Sequence, residues 1–246
     1  MFQRRVTHAA YGLIFLLLAP AAVPEERFSV PGVAPGALSS LPPEAKASIS
    51  AALGRNQRAY HAKGAGEAWR IDNPKHGLQM SFTANGVEVR KGAARFRLQL
   101  TGVGRGAQLE APQVGTPEAK DNRIEYRRGA LTEWYLNGPL GLEQGFTLDR
   151  PPARTGSEAL TLALRLSGDL SAVPDPRGDG LALQAPGGQT ALRYRGLVAW
   201  DSTGRTLPAW WQAQGSAVRL RVDDSGARYP LTIDPIIEDA QLIASD

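Results

Sequence analysis

The chain of 246 residues contains no cysteine, three histidines and two methionines. Without cysteine it can form neither disulfides nor a thiolate zinc site, so a domain outside the cell must be stabilised by its core alone, which is feasible at about 200 residues. A lipoprotein anchor is excluded for the same reason. His61 and His76 lie in polar surroundings without further ligands at metal-binding spacing, so we expect both to be structural or solvent-exposed. The sequence indicates no metal and no other cofactor.

Long hydrophobic runs are missing as well. The longest, from Tyr11 to Ala22, follows Arg4 and Arg5 and has twelve residues, whereas a helix that crosses a bilayer needs about 20. The charged start, the apolar middle and the small residues Ala19–Ala21 predict a cleaved signal peptide over residues 1–21. We therefore expect the mature chain to be exported to the periplasm, the cell surface or the medium, without stable membrane insertion. A permanent amino-terminal anchor is the alternative.

Basic residues are numerous but dispersed along the chain. The formal net charge is +4, from 23 arginines and 5 lysines against 24 acids, and removal of Arg4 and Arg5 with the signal leaves +2. Nucleic-acid-binding domains concentrate basic residues in a stripe or patch. Here no basic run is longer than Arg127–Arg128. The sequence therefore predicts no nucleic-acid partner.

A linker and one short helix precede the main domain. Residues 22–41 are rich in proline, glycine, alanine and serine, which is typical of a linker. Pro43 favours the start of a helix, Ile49 and Leu53 follow one turn apart, and Gly54 is expected to end it.

Beyond residue 68 the apolar residues alternate with polar ones, as in strands with one buried face. The segments RFRLQL, LTLALRL and AVRLRV show this pattern, and Asn85–Gly86 predicts a hairpin that places Met80 and Phe82 opposite Val87 and Val89. Turn sequences such as GVGRG, PGG, DSTG and DDSG recur every eight to twelve residues. Together these patterns predict an all-β fold, an antiparallel β-sandwich of about a dozen or more strands over residues 42–235, preceded by one short helix.

The loop PDPRGDGLAL contains two short matches to binding motifs. Arg177–Asp179 is the tripeptide RGD, which is common by chance, and Asp175 to Gly180 imitates a calcium loop. A calcium loop needs an oxygen ligand at its third position, where this chain has the guanidinium of Arg177. We expect a turn.

Four carboxylates lie in one aromatic-rich segment. A glycoside hydrolase needs two carboxylates about 5 to 9.5 Å apart across a cleft, and nothing in the spacing requires that geometry. We expect these acids to pair with nearby arginines at strand edges. The residues are Glu125, Glu133, Glu143 and Asp149.

Trp210 is the candidate for a binding surface. If Trp211 faces the core, then Trp210 is exposed, because consecutive strand residues point to opposite faces. The next strand presents Arg219 and Arg221 outward, so Trp210 is expected to stack on one of them. Trp210, Arg219 and Arg221 would form a shallow platform for a sugar or a protein partner. The alternative is an arginine-covered tryptophan on a solvated face.

Three segments carry a resemblance to a known family. They are Arg123–Pro152 (with EWY and GLEQGFT), Leu197–Ala209, and the carboxyl-terminal stretch from Val222 with YPLTIDP. They resemble the amino-terminal β module of bacterial exported proteins that bear FG-GAP (integrin-alpha-like) repeats, in which such a module precedes a β-propeller. The resemblance implies a secreted or surface-displayed, non-catalytic module. A protein or glycan at the cell surface is the expected partner.

The resemblance extends to the carboxyl-terminal residues, where the β module of the family is followed by its propeller. Asp234–Pro235 is expected to close the domain, since proline cannot donate to a strand ladder. AQLIASD has the form of a first propeller strand, so residues 236–246 are expected to be an orphan strand whose propeller is missing. Two alternatives remain open: a carbohydrate-binding module or weak glycoside hydrolase, and a truncated gene product without an independent role.

Overall fold

The computed structural model describes residues 43–152, 156–175 and 180–239. The predicted signal peptide over 1–21, the linker over 22–41, the RGD tripeptide and residues 240–246 lie outside the described residues.

The described residues form one α-helix, one 3₁₀ turn and seventeen strands in two antiparallel sheets. The helix α1 is Pro43–Asn56 and the 3₁₀ turn is Arg58–Tyr60. The nine-stranded sheet contains β1 (Lys63–Ala65), β2 (Ala68–Asn73), β3 (Leu78–Thr83), β4 (Gly86–Lys91), β5 (Ala94–Arg105), β6 (Gln108–Glu110), β11 (Leu160–Gly168), β15 (Ala209–Gln214) and β16 (Ala217–Val222). The eight-stranded sheet contains β7 (Pro117–Lys120), β8 (Arg123–Arg128), β9 (Leu131–Gly138), β10 (Gly141–Leu148), β12 (Ser171–Pro174), β13 (Gly180–Gln184), β14 (Thr190–Trp200) and β17 (Leu231–Asp239).

The order of the strands is β1-β2-β3-β4-β5-β11-β16-β15 in the nine-stranded sheet, with β6 paired to β5, and β12-β13-β14-β17-β10-β9-β8-β7 in the other. The predicted all-β sandwich is confirmed. The Asn85–Gly86 hairpin has the predicted register, with Phe82 opposite Val87 and Met80 opposite Val89.

The core lies between the two sheets and is made by the inward residues of the alternating strands. Leu160, Leu162, Leu164 and Leu166 of β11 are all buried there. Aromatic rings join the sheets: the ring centroids of Phe82 and Tyr135 are 5.0 Å apart, edge to face. Such burial is the main stabilising contribution in a domain without disulfides.

A buried asparagine also joins the two sheets. Asn137 on β9 donates from Nδ2 to the carbonyl oxygens of Tyr60 (3.0 Å) and Asp72 (2.9 Å). Its Oδ1 accepts a hydrogen bond of 2.8 Å from Nδ2 of Asn73 on β2. The amide therefore satisfies backbone groups where the 3₁₀ turn and β2 meet β9.

The helix differs from the prediction at Gly54. The helix continues two residues beyond it, and Ile49 and Leu53 are exposed. Gly54 lies against β9, where a Cβ atom would come within 2.1 Å of the Asn137 carbonyl oxygen. The glycine is therefore needed for close packing of the helix on the sheet, not for ending the helix.

The segment GVGRG, which was predicted to be a turn, is strand as far as Arg105. Gly102 and Gly104 belong to β5, which turns only at Gly106. A Cβ atom on Gly104 would lie 2.0 Å from the carbonyl oxygen of Gln108. Glycine is required here because β6 folds back closely over β5.

The prediction that the domain closes at Pro235 is wrong. Strand β17 runs through it to Asp239, and Ile237 is buried and pairs with both β10 and β14. On the β14 side the ladder passes from Arg195–Ile236 to Val198–Asp234, which leaves two residues of β14 opposite one proline. This bulge accommodates a residue that lacks an N–H. Residues 236–239 therefore belong to the sandwich.

Candidate binding surface

Trp210 lies on β15, at the end of the nine-stranded sheet, with 39% of its surface exposed. Arg221 on β16 is directly opposite, and its Cζ lies 5.9 Å from the centroid of the Trp210 ring. Arg219 is opposite Gln212 and is exposed. The structure therefore brings Trp210 and Arg221 together as predicted and places Arg219 beside them, while Trp211 packs inward against Tyr194 at 4.5 Å between ring centroids.

This platform is one end of a larger basic surface that the sequence analysis missed. The strand register puts the outward side chains of eight strands (β1 to β5, β11, β16 and β15) on one face of the nine-stranded sheet. We call this surface the basic face; its basic residues are Lys63, Arg70, Arg90, Arg95, Arg97, Arg165, Arg219 and Arg221. Along the sequence these residues are dispersed because each alternates with a buried apolar residue, so only the cross-strand register reveals the cluster.

Two acids stand on the same face. Glu88 accepts from Nε of Arg90 at 3.1 Å and from Nη2 of Arg97 at 3.4 Å. Asp72 pairs with Lys63 at 3.2 Å. These pairs are solvent-exposed and contribute little to stability, and they leave most of the basic charge uncompensated.

A groove of about 890 Å³ runs over the basic face between β1 and β4. Its lining combines charged groups with neutral polar ones, among them Arg70, Gln79 and Ser81. Such a groove can contact both anionic groups and hydroxyl groups.

Glu133, one of the four acids of the aromatic-rich segment, faces the interior. Its Oε2 accepts from Nε of Arg128, and its Oε1 accepts from the hydroxyl of Tyr135 at 2.7 Å and from Nε2 of Gln144 at 3.0 Å. The hydroxyl of Tyr194 completes the network by donating to Gln144. Burial raises the pKa of Tyr135 well above 10, and the charge of Glu133 raises it further. The phenol therefore remains a hydrogen-bond donor.

The other three acids do not join Glu133. Glu125 pairs with Arg123 and Arg127 on the outer face of the eight-stranded sheet, as predicted. Asp149 is exposed beyond the end of β10. Glu143 differs from the prediction, since its hydrogen-bond partner is another carboxyl group, that of Asp234. Burial raises the pKa of Glu143, although the hydrogen bond with Asp234 and the charge of Arg123 oppose the shift.

Beside this carboxyl pair, Trp134 lies on the same outer face and is only 6% exposed. The guanidinium of Arg123 covers the ring at 4.7 Å, and Nε1 donates to Oγ1 of Thr147 at 3.2 Å. Its ring also covers Gly145, where a Cβ atom would lie 1.9 Å from Cζ2. Trp134 is therefore a structural residue of the outer face.

Asp201 and Asp224, which lie in the other two segments of the resemblance, organise the loops. Asp201 accepts hydrogen bonds from Thr203 and from the backbone amides of Arg205 and Arg228. The hydroxyl of Thr203 and these amides hold the pKa of Asp201 well below its usual range. The carboxylate thereby joins the β14–β15 loop to the β16–β17 loop.

Asp224 forms a two-bond ion pair with Arg105 at 2.8 and 2.7 Å and accepts from the Tyr229 hydroxyl at 2.7 Å. Burial alone would raise the pKa of Asp224, but the hydrogen bonds from Arg105 and Tyr229 outweigh it and lower the pKa. Burial raises the pKa of Tyr229, and the hydrogen bond to Asp224 and its negative charge raise it further, whereas Arg105 opposes the shift.

His61 and His76 have structural contacts. Nε2 of His61 lies 2.7 Å from the Arg55 carbonyl oxygen, and Nε2 of His76 lies 3.0 Å from that of Pro139. Within the described ranges no group of three or more His, Cys, Asp or Glu residues is arranged to hold a metal ion. In the same part of the chain, no helix has the length and apolar character that crossing a membrane requires.

No model of a protein family matches the chain, and no curated protein is significantly similar to it.

Proposed function

We propose that the chain is an exported, non-catalytic β-sandwich module that supports an interaction outside the cell, beside an FG-GAP-type β-propeller. The observation that supports this proposal is that polar residues in the three resembling segments form hydrogen bonds and ion pairs within the sandwich. Glu133, Gln144, Asp201 and Asp224 bond to other groups of the sandwich. Side chains whose hydrogen bonds hold the sandwich together suit a rigid module that supports a neighbouring domain.

Export is tested by fusing the full chain to alkaline phosphatase, which is active only after it has left the bacterial cytoplasm. Activity is expected with the native amino terminus. We expect its loss when Leu16 and Leu17 are both replaced by aspartate, because a signal peptide needs an uninterrupted apolar segment. A fusion that stays inactive, or that is unaffected by the substitutions, contradicts export.

The propeller is tested by reading the gene beyond the codon of Asp246. Glycine- and aspartate-rich repeats there, in the same frame or in the next gene, support the proposal. Unrelated coding sequence in both places contradicts the propeller part.

A carbohydrate-binding module is the second candidate, favoured by the half-exposed ring of Trp210 with Arg221 and Gln212 around it. A glycan array with the wild type and Trp210→Ala tests this candidate. Binding that is lost in the variant supports it. Binding of no glycan, or equal binding by both proteins, rejects it.

A further inference from the structure

We propose that the basic face binds an acidic polysaccharide, a polymer whose sugar units carry carboxylate groups. The inference rests on the proposed function, because it gives the chemical class of the extracellular partner. Four observations on the described residues carry it: the distribution of charge between the two outer faces, the pairing of like charges, the chemistry of the arginines, and the polar groups between them.

The two outer faces of the sandwich differ in charge. The outward strand residues of the nine-stranded sheet include eight basic and two acidic side chains, whereas those of the eight-stranded sheet include five of each sign. The balanced set is Lys120, Arg123, Arg127, Arg193 and Arg195 with Glu118, Glu125, Glu143, Asp234 and Glu238. The excess of positive charge therefore belongs to one face and is not a property of the whole surface.

Like charges face each other directly across strands on the basic face. Lys63 is opposite Arg70, and Arg90 is opposite Arg95. Like charges in directly opposed positions destabilise a sheet. Among the described residues, no acid lies within ion-pair distance of the guanidiniums of Arg70, Arg95 and Arg165, although the charges of Arg95 and Glu88 interact at longer range. A bound polyanion would relieve this repulsion.

The side chains suit carboxylates on a sugar polymer. A guanidinium donates two parallel hydrogen bonds to a carboxylate, a geometry that lysine cannot offer. Amides and hydroxyls stand among the arginines and match sugar hydroxyl groups; they include Gln79, Ser81, Gln99 and Gln212. Trp210 adds an aromatic surface at one end.

A nucleic acid fits this face less well. The basic face has the concentrated positive charge that nucleic-acid-binding sites also show, but Asp72 and Glu88 interrupt it. Single strands also need successive aromatic platforms, and among the described residues of this face Trp210 is the only exposed aromatic side chain.

The test measures binding of the purified full chain to polygalacturonate, with dextran as the neutral polymer. Three variants are compared with the wild type. The first combines Arg70→Gln, Arg95→Gln and Arg165→Gln, the second is Arg127→Gln as a matched control on the other sheet, and the third is Glu88→Gln. Circular dichroism and thermal melting confirm that each variant is folded.

We expect the wild type to bind polygalacturonate but not dextran, and the triple variant to bind about ten-fold more weakly. Arg127→Gln should bind like the wild type. Glu88→Gln should bind more tightly, because Arg90 and Arg97 lose their competing carboxylate. This gain keeps the test decisive if the triple variant fails to fold.

Three results would overturn the proposal: no binding to polygalacturonate, an equal loss with Arg127→Gln, or tighter binding to duplex DNA or phosphatidylglycerol vesicles than to polygalacturonate. Because binding is measured on purified protein, its failure is separate from a failure of the export fusion.

Discussion

Arg128 and Glu133 form an ion pair inside the sandwich. Nε of Arg128 donates to Oε2 of Glu133 across 3.0 Å, and 5% and 1% of their side chains are exposed. Arg128 also donates to the carbonyl oxygen of Gln113 at 3.1 Å, and its guanidinium lies 4.9 Å from the Tyr126 ring centroid. Both charges are thus satisfied by several partners, as a buried ion pair requires.

Glu133→Gln should lower the free energy of unfolding by about 3 kcal/mol, because it leaves the Arg128 charge buried without its counter-ion. Glu125→Gln, which removes an acid from a more exposed pair, should cost no more than about 1 kcal/mol. Urea denaturation of both variants measures the difference. Equal losses of unfolding free energy in the two variants would contradict the expectation that the buried ion pair stabilises the fold more than the exposed one.

Gly145→Ala should destabilise the fold by about 2 kcal/mol, because the new methyl group would overlap the ring of Trp134. Gly156→Ala is the matched control, since the nearest atom to its Cβ would be 3.8 Å away. A second substitution, Trp134→Leu, should recover part of the loss in the Gly145→Ala background. If the effects of the two substitutions on the free energy of unfolding were fully additive, the contact between Gly145 and Trp134 would be contradicted.

Asp224 should make stability dependent on acid pH. Its folded pKa lies below the ordinary value of 3.8, so its stabilising contribution is present above that pH and is lost as the pH falls through the folded pKa. Asp224→Asn should be less stable than the wild type at pH 7, by about 2 kcal/mol, and the difference should shrink at low pH. Unfolding curves from pH 7 to 2 test this, and a constant difference would contradict it.

The pH dependence of stability that comes from Glu143 should have the opposite sign to that from Asp224. The folded pKa of Glu143 lies above the ordinary value of 4.5, so the folded state binds more protons than the unfolded state and stability falls as the pH rises through this window. Glu143→Gln should remove that fall and be relatively more stable at pH 7 than at pH 4. A wild type and variant with parallel stability curves over this range would reject the shift.

The alternation of polar and apolar residues was enough to predict the sandwich and the hairpin at Asn85–Gly86, because a strand with one buried face leaves that pattern in any sequence. The interpretation of glycine and proline as the ends of elements failed at Gly54, Gly104 and Pro235. At the first two positions glycine serves a close approach by another element, and at the third a bulge in the neighbouring strand accommodates proline. Those contacts are tertiary, so a local sequence pattern does not predict them.

Much the same limit applies to the candidate surface. The exposure of Trp210 and its contact with Arg221 follow from alternation on two adjacent strands. The basic face depends on which strands are neighbours, above all on the placement of β11 between β5 and β16. That order brings Arg165 and Arg219 to the face of Arg97, and it could not be derived from the sequence.

Mapping the arginines that a uronate polymer protects is the most direct test of the basic face as the functional surface. The full chain would be labelled with phenylglyoxal, with and without polygalacturonate, and the modified arginines quantified by mass spectrometry. We expect protection of Arg70, Arg97 and Arg165, with Arg127 labelled equally in both samples. Equal labelling of all four residues, or protection of Arg127 alone, would contradict the account.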